Sequence, residues 1–379
     1  MRRRFGERIR RLTACTFLIT RALAEGVRVF AISIVISVVL GTGEIASIVL
    51  ITLLTLFYTF EGGMTAVIWT DVVQMALYVL GAVLSFFIIL DKIPGGWAHV
   101  AAVAGPIGKF QIFDFSFALA PDFFSKTYTF WAGLAGGCFL TTATHGTDQL
   151  MVQRLLSART QGESRLALMA SWVVIATQFT LFLVIGVILF VFYSDSHLPA
   201  PHPPDRIYPQ FIWQYLPAGA AGIVVAAILA AAMANISAAL NSLASTTIVD
   251  LYQPIRRGQA GTDRQQLRLA RLATVFWGLV LLGIGILARK WGSVLEAGLK
   301  IASIPLGALL GVFLLGVLTR RVGESHAILG LGAGLAVITY VTFGTRIAWT
   351  WYVLIGAAAT FGCACAASRL LAERSGDSQ

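Results

Sequence analysis

Hydroxyls, amides, one imidazole and a few charged groups lie within long apolar stretches of this 379-residue chain. Burying such groups is costly unless they meet a partner, a cavity or a ligand, which makes them the first candidates for chemistry. Asp71, in Thr70-Asp71-Val72-Val73-Gln74, lies a turn or two inside one stretch, where a carboxylate could bind a cation or pair with a base. The run Ala230-Ala231-Ala232-Met233-Ala234-Asn235-Ile236-Ser237 sets Asn and Ser among small residues. Their oxygens with a free backbone carbonyl would make a site for a hard cation, while small-residue helix packing explains most of the run equally well. Thr144-His145-Gly146-Thr147-Asp148-Gln149 follows Gly133, Gly136 and Gly137. Those glycines either break a helix, freeing backbone groups for a solute or ion, or allow close helix packing. Arg21, Glu25 and Arg28 share one helical face and read as an internal ion pair holding helices together.

The elements that must position these groups are membrane helices. Hydrophobic residues make up 57% of the chain, charged residues 12%, and the mean hydropathy is +0.80. Stretches at about 12–40, 45–61, 66–91, 126–147, 166–193, 217–247, 267–289, 295–319, 324–344 and 347–371 are predicted to cross the roughly 30 Å hydrocarbon core, and in lipid each must be helical. The sequence therefore predicts an all-α polytopic membrane protein with about ten spans. Alternate loops, including those with Arg2, Arg3, Arg4, Arg8, Arg10, Arg11, Arg154, Arg159, Arg256, Arg257, Arg320 and Arg321, hold most of the Lys and Arg. That bias predicts a multi-pass protein of the inner or plasma membrane with residue 1 and the C-terminus cytoplasmic.

Other readings are weaker. The net charge of +10 sits in short loops, with no basic stripe to suit nucleic acid. Arg2-Arg3-Arg4-Phe5 and Leu12-Thr13-Ala14-Cys15 imitate secretion signals, but the apolar run follows Cys15 instead of preceding a cut. Cys138, Cys363 and Cys365 lie in apolar helices without metal-ligand spacing, so no transition-metal site and no organic cofactor is expected. No nucleophile–base pairing or phosphate-binding glycine loop suggests an enzyme. The loop 92–125, rich in Phe, suits the membrane interface, and Pro199, Pro201, Pro203 and Pro204 suit a rigid linker.

Read in order, several motifs resemble the sodium:solute symporter family, which includes sodium/glucose, sodium/proline and sodium-dependent multivitamin and iodide carriers. They are Arg4-Phe5-Gly6, Tyr58-Thr59 with Gly62-Gly63 leading into Ala66-Val67-Ile68-Trp69-Thr70-Asp71 and Gln74, Thr147-Asp148-Gln149 with Val152-Gln153-Arg154, Leu240-Asn241-Ser242 with Asp250-Leu251-Tyr252, and Gly311-Val312-Phe313-Leu314-Leu315-Gly316 before Arg320-Arg321.

The resemblance implies a leucine-transporter-type fold of two inverted repeats and cation-coupled symport, with sodium as the coupling ion, of a small organic solute across the bilayer. It implies a partial first repeat at 12–91, a second repeat at 126–319 and two additional helices at 324–371, the family's opening core helix lying upstream of Met1. It implies a cation site at Ala231, Ala234 and Asn235, although Ala234 brings no hydroxyl, and a second built from Asp71 and Ser237. Thr144, His145 and Asp148 are the pocket-lining candidates, and with Thr144 and His145 where sugar carriers have aromatic residues, sugar stacking is disfavoured. The competing reading is a degenerate symporter-like protein without coupled transport, serving as a sensor or interaction module.

Overall fold

The structure is a computed structural model describing residues 2–61, 64–117, 121–147, 155, 158–255, 263–320 and 322–376. Side chains are described throughout these ranges except at 2, 3, 58, 60, 61, 64–71, 121, 255, 263 and 371–376. The elements, in chain order, are α1 (Glu7–Leu40), α2 (Glu44–Glu61), α3 (Met64–Asp91), the short α4 (Gly96–Ala104), α5 (Gly137–Gly146), α6 (Gln161–Asp195), the short α7 (Ile207–Tyr215), α8 (Ala218–Thr246), α9 (Asp263–Ala288), α10 (Val294–Leu318), α11 (Glu324–Gly344) and α12 (Tyr352–Gly376). No strand occurs among the described residues.

Among the described residues eight segments are long and apolar enough to cross a membrane, so this is a membrane protein. The sequence suggested ten. Of the other two, α2 forms one helix, Glu44–Glu61, over the predicted stretch 45–61, with Glu44–Phe57 its apolar part among the described residues. The stretch 126–147 does not form one continuous α-helix: 126–129 are irregular, the helix begins at Phe130, and a π-helical turn at Ala132–Gly136 interrupts it before α-helix resumes at Gly137. π-Turns concentrate at functional sites. Of the two readings of the glycines, close packing is seen directly at Gly136. The helix is irregular at this point, and a Cβ on Gly136 would collide with the backbone carbonyl of Thr350.

Helix α1 is the central post, packed against α2, α8, α9, α10 and α11. Its middle joins α2, α8 and α9 in one apolar core through Val29, Ile48, Ile236, Leu240 and Leu281. Nearer its C-terminus, Val35 belongs to a second core with α3, α6, α7 and α8. Helices α10, α11 and α12 form a separate close-packed group built on glycines. A Cβ at Gly307 would lie 2.8 Å from the Val353 carbonyl oxygen. Without a large hydrophobic drive between helices in lipid, such backbone proximity supplies the packing attraction.

The two helical groups are tied together at the end holding residue 1. Gly6 adopts φ 122°, and a side chain there would meet the Glu324 carboxylate. Glu324 Oε1 accepts from the backbone N–H groups of Arg8 (2.7 Å) and Ile9 (3.1 Å), satisfying orphan donors at the start of α1. Reciprocally, Arg4 Nη2 donates to the carbonyls of Thr319 (2.9 Å) and Val322 (3.3 Å) after α10. At the opposite end Glu44 takes Arg206 at 2.8 Å and Arg289 at 2.7 Å. Aromatic rings from the 92–125 loop gather there with Phe130, Trp131 and Trp351.

Candidate functional site

Helix α8 carries four of the candidate residues, and its small side chains let neighbours approach closely. It packs against α1, α2, α3 and α9. Ala234 and Ser237 are buried, Ala231 is half-buried and Asn235 is exposed. The Asn235 side-chain amide donates to the Ala231 carbonyl oxygen at 3.0 Å. The expected carbonyl ligand is thus already engaged, while the Asn235 side-chain oxygen is not committed by this bond. Ala231 also lines a cavity of about 220 Å³ with Tyr78, Phe182, Tyr208, Val224 and Ile228.

Ser237 makes the contact that matters most. Thr59 Oγ1 on α2 donates to the Thr55 carbonyl of its own helix at 2.6 Å and lies within hydrogen-bond distance of Ser237 Oγ, 2.9 Å away. Two hydroxyl oxygens and a backbone carbonyl thereby converge between α2 and α8, a grouping of hard oxygen donors suited to a small cation. Asp71 is the eighth residue of α3, about two turns from its start, and α3 packs on α8; the Asp71 side chain lies outside the described residues. Thr59 entered the sequence reading only as part of a motif, because a threonine in a helix usually bonds its own backbone, as Thr59 also does.

The second set of candidates sits elsewhere. Thr144 and His145 lie near the end of α5, which packs on α10 and α12. Thr144 Oγ1 reaches the carbonyls of Leu140 and Thr141, each at 3.1 Å, and His145 Nδ1 at 3.2 Å. His145 Nδ1 also lies 3.0 Å from the Thr141 carbonyl. Among the described residues no hydrogen bond links Thr144 or His145 to the α8 group. Asp148 lies outside the described residues.

The expected ion pair of α1 forms, but Glu25 meets Arg21 and Arg28 along the same helix, and these pairs do not join it to a neighbour. Glu25 is fully buried, with Arg21 at 3.1 Å and Arg28 at 2.5 Å. A further pair crosses between helices: Arg10 holds Asp250 through Nη2 at 2.6 Å and Nε at 3.0 Å. Asp250 lies in the π-helical continuation of α8, Thr247–Tyr252, and Trp277 Nε1 donates to Thr247 there at 2.9 Å. Sequence reasoning had given Asp250 no role, since its partner is 240 residues away.

Residues 1–334 match the profile of the sodium:solute symporter family. The chain belongs to that family. The human sodium/iodide cotransporter is 29% identical over 360 residues, covering 91% of this chain and 53% of that protein. The sodium-dependent multivitamin transporter of Oryctolagus cuniculus is 30% identical over 349 residues, covering 91% and 54%. The sodium/sialic acid symporter of Aliivibrio fischeri is 27% identical over 365 residues, covering 94% and 70%. This symporter-family chain therefore spans about half the length of the first two relatives. A solved sodium-coupled sialic acid symporter, substrate-bound and outward-open with a novel sodium site, superposes with a TM-score of 0.82 at 26% identity, covering 97% of this chain and 76% of that one. The fold is accordingly of the leucine-transporter type expected, and these relatives are carriers, not enzymes.

Proposed function

We propose that the chain performs sodium-coupled symport of a small organic solute by alternating access. The observation that carries this reading is the Thr59–Ser237 hydroxyl pair, 2.9 Å apart between α2 and α8. It supplies oxygen donors beside the helix that carries Asp71, and sodium coupling in the relatives' names supports the choice of ion. In this reading Asp71, Ser237 and Thr59 hold the coupling cation, and Asn235 with the Ala231 carbonyl and the adjoining Ala234 backbone form the neighbouring site. Thr144, His145 and Asp148 line the solute path. Residues 12–91 act as part of a first repeat, 126–319 as the second, and 324–371 as two accessory helices. The protein sits in the plasma or inner membrane with residue 1 and the C-terminus cytoplasmic, supported by the loop charge bias. It needs no cofactor beyond sodium.

The energetics are sufficient. One cation moving down 100 mV gains about 2.3 kcal/mol. A tenfold gradient adds about 1.4 kcal/mol, and together they sustain roughly few-hundredfold solute accumulation. The test is uptake of a solute panel into proteoliposomes with an inward sodium gradient. Wild-type protein accumulates a solute only with the gradient, and Asp71→Asn abolishes that accumulation. Gradient-driven uptake persisting in Asp71→Asn would refute the cation assignment.

A further inference from the structure

A cavity of about 450 Å³ opens at the end opposite residue 1, between the N-terminal half of α10, the end of α11 and the start of α12. Its volume falls within the range of small-molecule sites. It is lined by hydroxyl and charged side chains, among them Thr345, Glu296, Lys300 and Arg346, with Trp291 and Trp349 as aromatic walls.

Lys300 is the unexpected group. It is the seventh residue of α10, about 9 Å along the helix from Val294, and its side chain is exposed at the cavity at the outer end of a spanning segment. A cation there is costly unless hydrated or paired, and such a residue marks a functional site by default. The partner expected at helical spacing is Glu296, four residues earlier. Glu296 Oε1 instead accepts the Tyr128 phenol at 3.1 Å. Among the described residues neither Lys300 nor Arg346 has a carboxylate within ion-pair distance. The indole N–H of Trp349, another wall residue, is buried with no acceptor. The cavity thus sets two cations, neither held in an ion pair among the described residues, against the single Glu296 carboxylate, a net positive lining complementary to an anion. Arg346 offers the planar fork that suits a carboxylate, and the tryptophan faces suit the carbon skeleton attached to it.

We propose that this cavity is an outer binding site for a small organic carboxylate, captured by Lys300 and Arg346, and that the transported solute is such an anion. The second half of this inference rests on the symport reading; the binding site itself does not. A concave site with a net positive lining concentrates counter-ions, so the cavity raises the local concentration of anions at its tryptophans.

The test uses fluorescence of the purified full chain, which requires no transport. The contribution of Trp291 and Trp349 is taken as the difference from the Trp291→Phe/Trp349→Phe variant. Iodide, an anionic quencher, is compared with acrylamide, a neutral one, and lactate with lactamide as competitors. Iodide should quench this component preferentially. Lys300→Gln and Arg346→Gln should each lower iodide quenching about threefold, leaving acrylamide quenching unchanged. Lys300→Arg, which keeps the charge, should retain it, and lactate but not lactamide should protect. Unchanged iodide quenching in Lys300→Gln/Arg346→Gln, or equal protection by lactamide, would overturn the site. Sodium-driven uptake that favours lactamide over lactate would overturn the anionic solute while leaving symport standing. Anion-selective protection in a protein that fails to transport would leave the site standing and sink symport.

Discussion

Replacing Ser237 with alanine separates a packing role from an ion-binding role, because the two differ in size and in kind. The mutation removes the hydroxyl paired with Thr59 Oγ1 at 2.9 Å, while Thr59 keeps its bond to the Thr55 carbonyl. Interhelical hydrogen bonds of this sort contribute about 0.6 kcal/mol on average, so a purely structural serine predicts a small loss of stability. An uncharged oxygen facing a full charge contributes about 1.5–3 kcal/mol. At about 1.36 kcal/mol per decade, that loss weakens sodium binding by roughly 10- to 150-fold. The assay is thermal stability of the purified chain as sodium replaces choline at constant ionic strength, since a ion that binds only the folded state raises its melting temperature by mass action. The account predicts a sodium midpoint shifted at least about tenfold upward in Ser237→Ala, with little change in the sodium-free melting temperature. Thr59→Val should act in the same direction. A wild-type sodium midpoint in Ser237→Ala would refute the reasoning.

Other positions test the scaffold. Glu25→Ala strips the fully buried carboxylate from Arg21 and Arg28 and should lower stability by about 3–5 kcal/mol, read as a fall in folded yield on size exclusion. Gly307→Ala drives a methyl against the α12 backbone and should destabilise by about 1–3 kcal/mol, visible as a lower melting temperature. Glu324→Ala removes the acceptor for the Arg8 and Ile9 amides and should cost about 1 kcal/mol, with faster hydrogen exchange at the start of α1.

Much of the fold was legible because hydropathy reports membrane helices directly: α11 coincides with its predicted span, and α8 and α10 begin and end within a residue of theirs. The irregular start of α5 was not, since glycines permit both a break and a close approach, and only the position of Thr350 decides at Gly136. The arginines and glycine of the first residues carried family resemblance without a reason. Glu324 leaves no room for a side chain at Gly6, and Arg4 holds the Thr319 and Val322 carbonyls after α10. The candidate site was legible as a helix but not as a constellation. Ser237 stood out by type, whereas Thr59 needed α2 to be laid against α8. Lys300 was hidden for a related reason: four residues after Glu296 it reads as half of an ordinary helical ion pair, until Tyr128 is seen to hold the glutamate.

The most direct test of coupling is reciprocal flux. Symport requires that a solute gradient drive sodium, so sodium-22 entry into proteoliposomes should be measured with and without an inward gradient of the solute found in the uptake panel. The account predicts solute-stimulated sodium entry that is lost in Asp71→Asn. Solute entering with no accompanying sodium would contradict it.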